Sequence, residues 1–234
     1  MVSRGREKMP RPLRAADGGV IYHVLNRANG RAKIFESDGD YAAFEQVLVE
    51  GCQRTPIRLF SYCLMPNHWH MALLPVHDGD LSRFVGWVTM THAQRWHAAH
   101  GTTGHGHLYQ GRFKSFPVQG DRHFQILCRY VEANALRAGL SKKAQDWRWC
   151  SLSRRGTPES DTPPLHEWPV PRPLNWLELV NERRPPKEAE GLRISMQRGR
   201  PFGGERWTAQ MCQRLGLQST VRQRGRPWPK SKGS

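Results

Sequence analysis

Two histidines stand two residues apart in the apolar stretch SYCLMPNHWHMALLP, residues 61–75. Side chains at i and i+2 of a β-strand share a face, so a strand here presents His68 and His70 side by side while Trp69 faces the other way. Two neutral imidazoles on one rigid strand form a pair of metal ligands. The alternative is two buried histidines satisfied by hydrogen bonds. Because each unpaired ring would cost roughly 1–3 kcal/mol, a shared divalent cation is favoured.

The elements that must position this pair follow from the periodicity of the apolar residues. A strand is predicted in GGVIYHVLNRANG, a helix in SDGDYAAFEQVLVEGC, and an antiparallel hairpin in PIRLFSYCL and HWHMALLP. A second helix follows in DLSRFVGWVTMTHAQRWHAAHG, a short strand in RFKSFPVQG, and a third helix in DRHFQILCRYVEANALRAGL, which Asp121 caps and Gly139 closes.

The resulting order, β-α-β-β-α-β-α, predicts an α+β fold. Its first six elements match the ferredoxin-like split βαβ antiparallel sheet with helices on one face, which leaves the opposite face available for a ligand. From about residue 141 a basic, Pro-rich C-terminal extension follows, with sparse regular structure and a short helix in NWLELVNERR.

The charge of the chain points to a polyanionic partner. Lys and Arg outnumber Asp and Glu by 36 to 20, a formal charge of +16, which favours nucleic acid over an anionic membrane surface. We find no run of about 18 apolar residues and no signal-peptide pattern, so we expect no membrane association and a cytoplasmic, nucleoid-associated protein. The five cysteines are odd in number and lack a C-x-x-C spacing, which is typical of core residues in a reducing compartment.

Changes in composition along the chain predict three regions: a basic N-terminal arm at 1–18, a main domain at 19–153, and a Pro-rich connector with a basic tail at 154–234. Residues 183–234 hold thirteen Lys and Arg against three Asp and Glu, with two Arg-Gly-Arg-Pro repeats. Such a tail can follow a phosphate backbone, although a solvated tail is the plainer reading. The candidate phosphate contacts in the repeats are Arg198, Arg200, Arg224 and Arg226.

Five sequence blocks resemble one family. MPNHWHMALLP is similar to the His-hydrophobic-His motif of single-tyrosine HUH transposases, and its context resembles the REP-associated tyrosine transposases of bacteria. YHVLNRANGRAKIF, GHLYQGRFKSFPV, RYVEANALRAGL and WRWCS follow the family in the expected order. The resemblance covers roughly residues 19–153, which would make this region the HUH catalytic domain.

This resemblance implies a nucleophile and a metal site. Tyr130 takes the position of the catalytic tyrosine, His68 and His70 bind Mg²⁺ or Mn²⁺, and Asn134 is a candidate third ligand where many relatives use Gln. The implied activity is metal-dependent nicking and joining of single-stranded DNA through a 5′-phosphotyrosine, at hairpin-forming repeats and without a nucleotide cofactor. A cation on the phosphate would polarise phosphorus, and tyrosine ionises more readily than serine. The alternative for Tyr130 is a core tyrosine of the third helix.

Further basic and aromatic residues are candidates for contact with DNA. In the GHLYQGRFKS block, Arg side chains suit phosphates and a Tyr ring suits stacking on a base. The first strand ends beside two more arginines. Each could equally be a charged or polar surface side chain that has no role in binding. The candidates are Tyr109, Gln110, Arg112, Lys114, Arg27 and Arg31.

Other readings remain open beside a transposase. A non-catalytic DNA-binding protein derived from a transposase would keep the fold and charge, and a zinc hydrolase is a more distant option. A second metal site among the histidines at 92, 97, 100, 105 and 107 is disfavoured, because their spacing does not match a ligand motif. The long basic tail resembles that of family members that act as monomers, so a monomer is favoured over a homodimer.

Overall fold

Four strands form an antiparallel sheet in the computed structural model, which describes residues 16–156, 162–182 and 186–222. The strands are β1 (Ile21–Arg27), β2 (Ile57–Met65), β3 (His68–Pro75) and β4 (Lys114–Val118). Their spatial order is β2-β3-β1-β4, so β1 and β3 are the central strands. This is the order of a split βαβ sheet, and the predicted α+β, ferredoxin-like fold is confirmed.

The predicted helices are present in the predicted order, and further helices lie among the described residues. The helices are α1 (Asp38–Arg54), α2 (Asp80–Ala99), α3 (Arg122–Glu132), α4 (Asn134–Arg137), α5 (Ser151–Gly156), α6 (Trp176–Asn181), α7 (Pro186–Arg198) and α8 (Glu205–Arg214). Within the described residues, no helix is both long and apolar enough to cross a membrane.

The two faces of the sheet carry different helices. α1 and α2 pack on one face, as predicted, over a buried cluster that includes Tyr22, Trp69 and Met71 of the central strands. The opposite face is less open than expected, because α3 lies across β2 and β3 there. Its apolar row buries Phe124 and Leu127 against that face. The face that carries His68 and His70 is therefore a confined site beside a helix.

The third predicted helix is interrupted near its middle. The Asp121 side chain caps α3 by accepting a hydrogen bond from the backbone N–H of His123 at 2.8 Å. α3 ends at Glu132, Ala133 has φ −85° and ψ 5°, and α4 begins at Asn134. Gly139, at φ +72°, lies just beyond α4 as predicted. The interruption sets the direction in which the residues of α4 leave the tyrosine helix.

The C-terminal extension has more regular structure than expected. The predicted short helix is present as α6, and α7 and α8 follow it. Between α7 and α8, Phe202 forms a parallel bridge with Val118 at the outer edge of β4, with its N–H donating to the carbonyl of Pro117 at 2.8 Å. The first Arg-Gly-Arg-Pro repeat thus lies next to an edge strand, because that strand offers unpaired backbone groups.

Candidate active site

Strand register gathers three histidines on one face of the sheet. Cross-strand partners share a face, and the register pairs Leu25 with His70 and Arg27 with His68. His23 is two residues before Leu25 on β1, so its ring joins the predicted pair. The sequence analysis missed this third histidine, although it stands in the strand row opposite the apolar core row.

Hydrogen bonds hold the rings of His68 and His70 through their Nδ1 atoms. Nδ1 of His70 lies 2.9 Å from Nε2 of His23, and Nδ1 of His68 lies 2.6 Å from the amide oxygen of Asn67. When Nδ1 donates, Nε2 carries the lone pair and can face a cation. Asn67 is a second residue that sequence reasoning missed. Its signal is its place immediately before the histidine pair.

Burial keeps the three rings neutral. It lowers the pKa of His23 to about 3 and, with the charge of Arg27, the pKa of His68 to about 4. The pKa of His70 lies well below its usual value, first because of burial and then because of the neighbouring rings and the charges of Arg137 and Arg27. Neutral imidazole is the form that binds metals, so the pair does not need to lose protons at neutral pH.

α3 brings Tyr130 to these histidines. The buried row of the helix holds it to the sheet, and Tyr130 lies half-buried beside that row. The centroid of its ring lies 5.7 Å from that of His70 and 6.4 Å from that of His23, with both pairs edge to face. Residues sixty positions apart in the sequence thus share one site.

The short helix α4 adds two residues around the tyrosine. Asn134 is buried, and its amide oxygen accepts a hydrogen bond from Nη2 of Arg137. Its amide nitrogen finds no hydrogen-bond partner among the described residues. The guanidinium carbon of Arg137 lies 3.8 Å from the centroid of the Tyr130 ring. Arg137 was not predicted, because an arginine near a helix end is usually a surface residue.

The donor set fits a small divalent cation with open coordination positions. His68 and His70 offer Nε2 atoms from one strand, and Asn134 carries an amide oxygen at the start of α4. Across the described ranges, no group of three or more His, Cys, Asp or Glu side chains could hold a metal ion. The candidate site therefore consists of two imidazoles and an amide, and its remaining positions would fall to water or substrate.

Tyr109 differs from the prediction that it stacks on a base. It is 8 % exposed, its hydroxyl accepts from Nε1 of Trp69 at 3.1 Å, and it lies 2.7 Å from Nδ1 of His92. These bonds hold Tyr109 in a buried position beside α2. In this structure it supports the strand that carries the histidine pair.

Five of the other predicted DNA contacts lie around the sheet end that carries His68. Arg27 is half-buried beside His68, Lys114 is exposed on β4 across from Leu25, and Arg31 is exposed in the turn after β1. Gln110 and Arg112 are exposed in the loop before β4, while Arg198 and Arg200 are half-buried near its outer edge. Arg224 and Arg226 lie outside the described residues.

The remaining histidines form local hydrogen bonds. Nδ1 of His97 lies 2.8 Å from the hydroxyl of Thr102, and Nδ1 of His100 lies 2.9 Å from the carbonyl of Trp96. His105 and His107 are exposed in the glycine-rich loop. These contacts shape the end of α2 and the loop that follows it.

Residues 18–134, half of the chain, match the family model described as IS200-like transposase. The chain belongs to this transposase family. The matched stretch begins before β1 and ends at Asn134, so it contains the histidine pair and Tyr130. The family recognised from the sequence blocks is therefore confirmed.

Solved structures extend the comparison. This transposase is similar to a REP-associated tyrosine transposase solved with a REP hairpin, at 17% identity and a TM-score of 0.52, over 68% of this chain and 100% of that chain. A crystal structure described as a candidate transposase from Deinococcus radiodurans R1 matches at 19% identity and a TM-score of 0.38, over 50% of this chain and 92% of that chain. No curated protein matches the sequence. The first likeness shows a shared fold.

Proposed function

We propose that this transposase cuts and rejoins single-stranded DNA through a covalent bond to Tyr130. The observation that carries the proposal is the edge-to-face contact of Tyr130 with His70, at 5.7 Å between ring centroids. It sets a nucleophile of suitable chemistry beside a strand whose two histidines have Nε2 available. His68, His70 and Asn134 are the residues that would hold Mg²⁺ or Mn²⁺. The bound cation would polarise the phosphate and offset its negative charge.

The strand-transfer step is balanced without a nucleotide cofactor. The phenol of Tyr130 loses its proton to solvent, its oxygen forms a bond to phosphorus, and the bond from phosphorus to the 3′ oxygen breaks. The leaving 3′ oxygen takes up a proton, so the products are a 5′-phosphotyrosine and a free 3′-hydroxyl. Attack by a second 3′-hydroxyl reverses these events and joins a new end. The phosphotyrosine conserves the energy of the broken bond.

Positive charge near the site and a likeness to a hairpin-bound structure support single-stranded hairpin DNA as the substrate. Arg27 and Lys114 lie on the histidine face of the sheet, and Arg112 is exposed in the loop beside it. Together with the formal charge of +16, these residues suit a phosphate backbone. The similar structure was solved with a REP hairpin, which supports a hairpin-forming repeat as the substrate here. We further propose that the protein acts as a monomer on cytoplasmic DNA.

A covalent adduct tests the proposal directly. Full-length protein is incubated with Mn²⁺ and end-labelled single-stranded hairpin oligonucleotides drawn from repeats that flank its gene. We expect a labelled band that survives denaturation in wild-type protein and is absent in Tyr130→Phe, which should bind the same oligonucleotides equally well. Tyr41→Phe, on α1 at the opposite face of the sheet, is the matched control and should form the adduct. Binding by the wild type without any adduct would instead favour a non-catalytic DNA-binding protein.

A further inference from the structure

Arg137 occupies a place that the proposed strand transfer does not yet explain. One face of its guanidinium lies on the ring of Tyr130, with 3.8 Å between the guanidinium carbon and the ring centroid. Nη2 also donates to the amide oxygen of Asn134. The residue is nevertheless exposed to solvent, so the rest of the guanidinium is accessible beside the nucleophile.

The charge of Arg137 has no acidic partner in the part of the chain that the structure describes. Two other arginines that pack on the fold are paired with acidic residues: Arg129 with Glu182, and Arg154 with Glu45. Arg137 instead adds positive charge to the site, since its guanidinium lies on the ring of Tyr130, which contacts His70. A guanidinium has five N–H donors, and the bond to Asn134 uses one nitrogen.

A second cation lies on the strand side of the same site. Arg27 is the cross-strand partner of His68, on the face of the sheet that also carries His70. Its Nε is buried and has no hydrogen-bond partner within the described ranges. Buried donors are almost always satisfied. This guanidinium nitrogen beside the site is therefore available to donate to a ligand with acceptor oxygens.

A phosphodiester matches these features. Its two non-bridging oxygens share one negative charge, and a planar guanidinium donates to them with good geometry. Attack by a phenolate increases the charge on those oxygens, so a cation fixed beside the tyrosine stabilises the transition state more than the ground state. We propose that Arg137 donates to a non-bridging oxygen of the phosphodiester that Tyr130 attacks, which rests on the proposed role of Tyr130.

The alternative is a structural role in which Arg137 only holds the tyrosine ring in place by a cation–π contact. The two roles differ in their response to the charge of a single phosphate. In a Tyr130→Phe background, which prevents cleavage, affinity is measured for oligonucleotides with either the natural phosphate or a neutral methylphosphonate at the cleavage position. That position is first mapped from the adduct of the wild-type protein.

We expect the methylphosphonate to weaken binding by about tenfold when Arg137 is present and less than about twofold in the Arg137→Gln variant. Arg137→Lys keeps the charge, so the methylphosphonate should still weaken its binding, but by less than in the protein with Arg137. Arg122→Gln, at the exposed start of α3, is the matched control and should retain the full penalty. With Tyr130 intact, Arg137→Gln should slow adduct formation by about 10²-fold.

Two results would overturn the inference, and they differ. If the wild type forms an adduct but the methylphosphonate penalty is the same in Arg137→Gln, Arg137 does not contact that phosphate and only this inference fails. If no adduct forms on any repeat, the role of Tyr130 fails and this inference fails with it. Because Arg137 is exposed, its variants should melt at the wild-type temperature, which a thermal scan confirms before binding is compared.

Discussion

Nε2 of His23 lies 2.9 Å from Nδ1 of His70, between the two central strands of the sheet. The two rings are nearly parallel, with 17° between their planes. If Nδ1 of His70 donates this bond, its Nε2 is free for a cation and His23 carries its own proton on Nδ1. That atom is buried and has no partner among the described residues. His23 thus orients His70, while its own buried Nδ1 is left without a hydrogen bond.

Replacement of His23 tests this orienting role. His23→Phe keeps an aromatic side chain and removes the nitrogen that holds His70, so we expect Mn²⁺ affinity to fall by about 10–100-fold. Calorimetric titration of the DNA-free protein measures this affinity without any cleavage. The exposed His107 provides a control, since His107→Ala should bind Mn²⁺ as the wild type does. Unchanged affinity in His23→Phe would show that His70 does not need this partner.

Glu132 joins the C-terminal extension to the tyrosine helix. Its buried carboxylate accepts from Nε1 of Trp176 and the hydroxyl of Ser151, both at 2.7 Å, and from the hydroxyl of Ser61 at 3.3 Å. Glu132→Ala leaves these buried donors without an acceptor, so we expect the free energy of unfolding to fall by about 2–4 kcal/mol. Urea denaturation measures the loss.

The control for Glu132 lies on α6 itself. Glu178 is exposed, and Glu178→Ala should change stability by less than about 0.5 kcal/mol. Limited proteolysis provides a second readout, because release of Trp176 should expose residues 162–175 to cleavage in Glu132→Ala. Equal stability of the two variants would mean that Glu132 does not anchor the extension.

Acid should destabilise the fold through its buried neutral histidines. Burial lowers the pKa of His92 to about 3, whereas the unfolded chain takes up this proton near pH 6.5. Between these values the unfolded state binds more protons, so stability falls as pH falls from 6.5 towards 3, by about 1.4 kcal/mol per pH unit for each such group. His92→Gln should flatten this slope by about one proton in urea denaturation at several pH values. His105→Gln, in an exposed loop, should leave it as it is.

The Arg-Gly-Arg-Pro segment beside β4 should contribute to DNA binding without sequence preference. Arg200 is half-buried near the edge of β4, and Lys114 is exposed at the start of that strand. We expect Arg200→Ala to weaken binding to all single strands equally and to reduce the salt dependence by about 0.7 in slope, as for one lost phosphate contact. Fluorescence anisotropy at several salt concentrations measures both. Arg83→Ala, whose arginine pairs with Asp80 on α2, should leave the slope unchanged.

Local periodicity was enough to predict the elements around the site. Each pattern depends on neighbouring residues: the alternation of apolar residues in β1 and β3, and the apolar row of α3. The element order and the shared face of His68 and His70 therefore follow from the sequence. The position of Tyr130 came from the family resemblance. Its neighbours could not be predicted in this way, because they come from other elements.

The burial of Tyr109 could not be predicted from its neighbours in the sequence. Its block of Gln, Arg and Lys residues favours a surface role, and the flanking Gln110 and Arg112 are indeed exposed. The chain turns Tyr109 inward, where its hydroxyl bonds to Trp69 and His92. Whether Tyr109 is buried or exposed depends on hydrogen-bond partners 17 and 40 residues away in the sequence.

The sequence by itself determined the order of strands and helices, the same-face histidine pair and the excess of positive charge, because each depends on residue types and short-range spacing. Only the tertiary structure decided that β1 lies beside β3 and brings His23 and Arg27 to that pair. It also decided that the break after Glu132 turns Arg137 onto Tyr130. Register and helix docking depend on the packing of residues distant in the sequence, which local patterns do not encode.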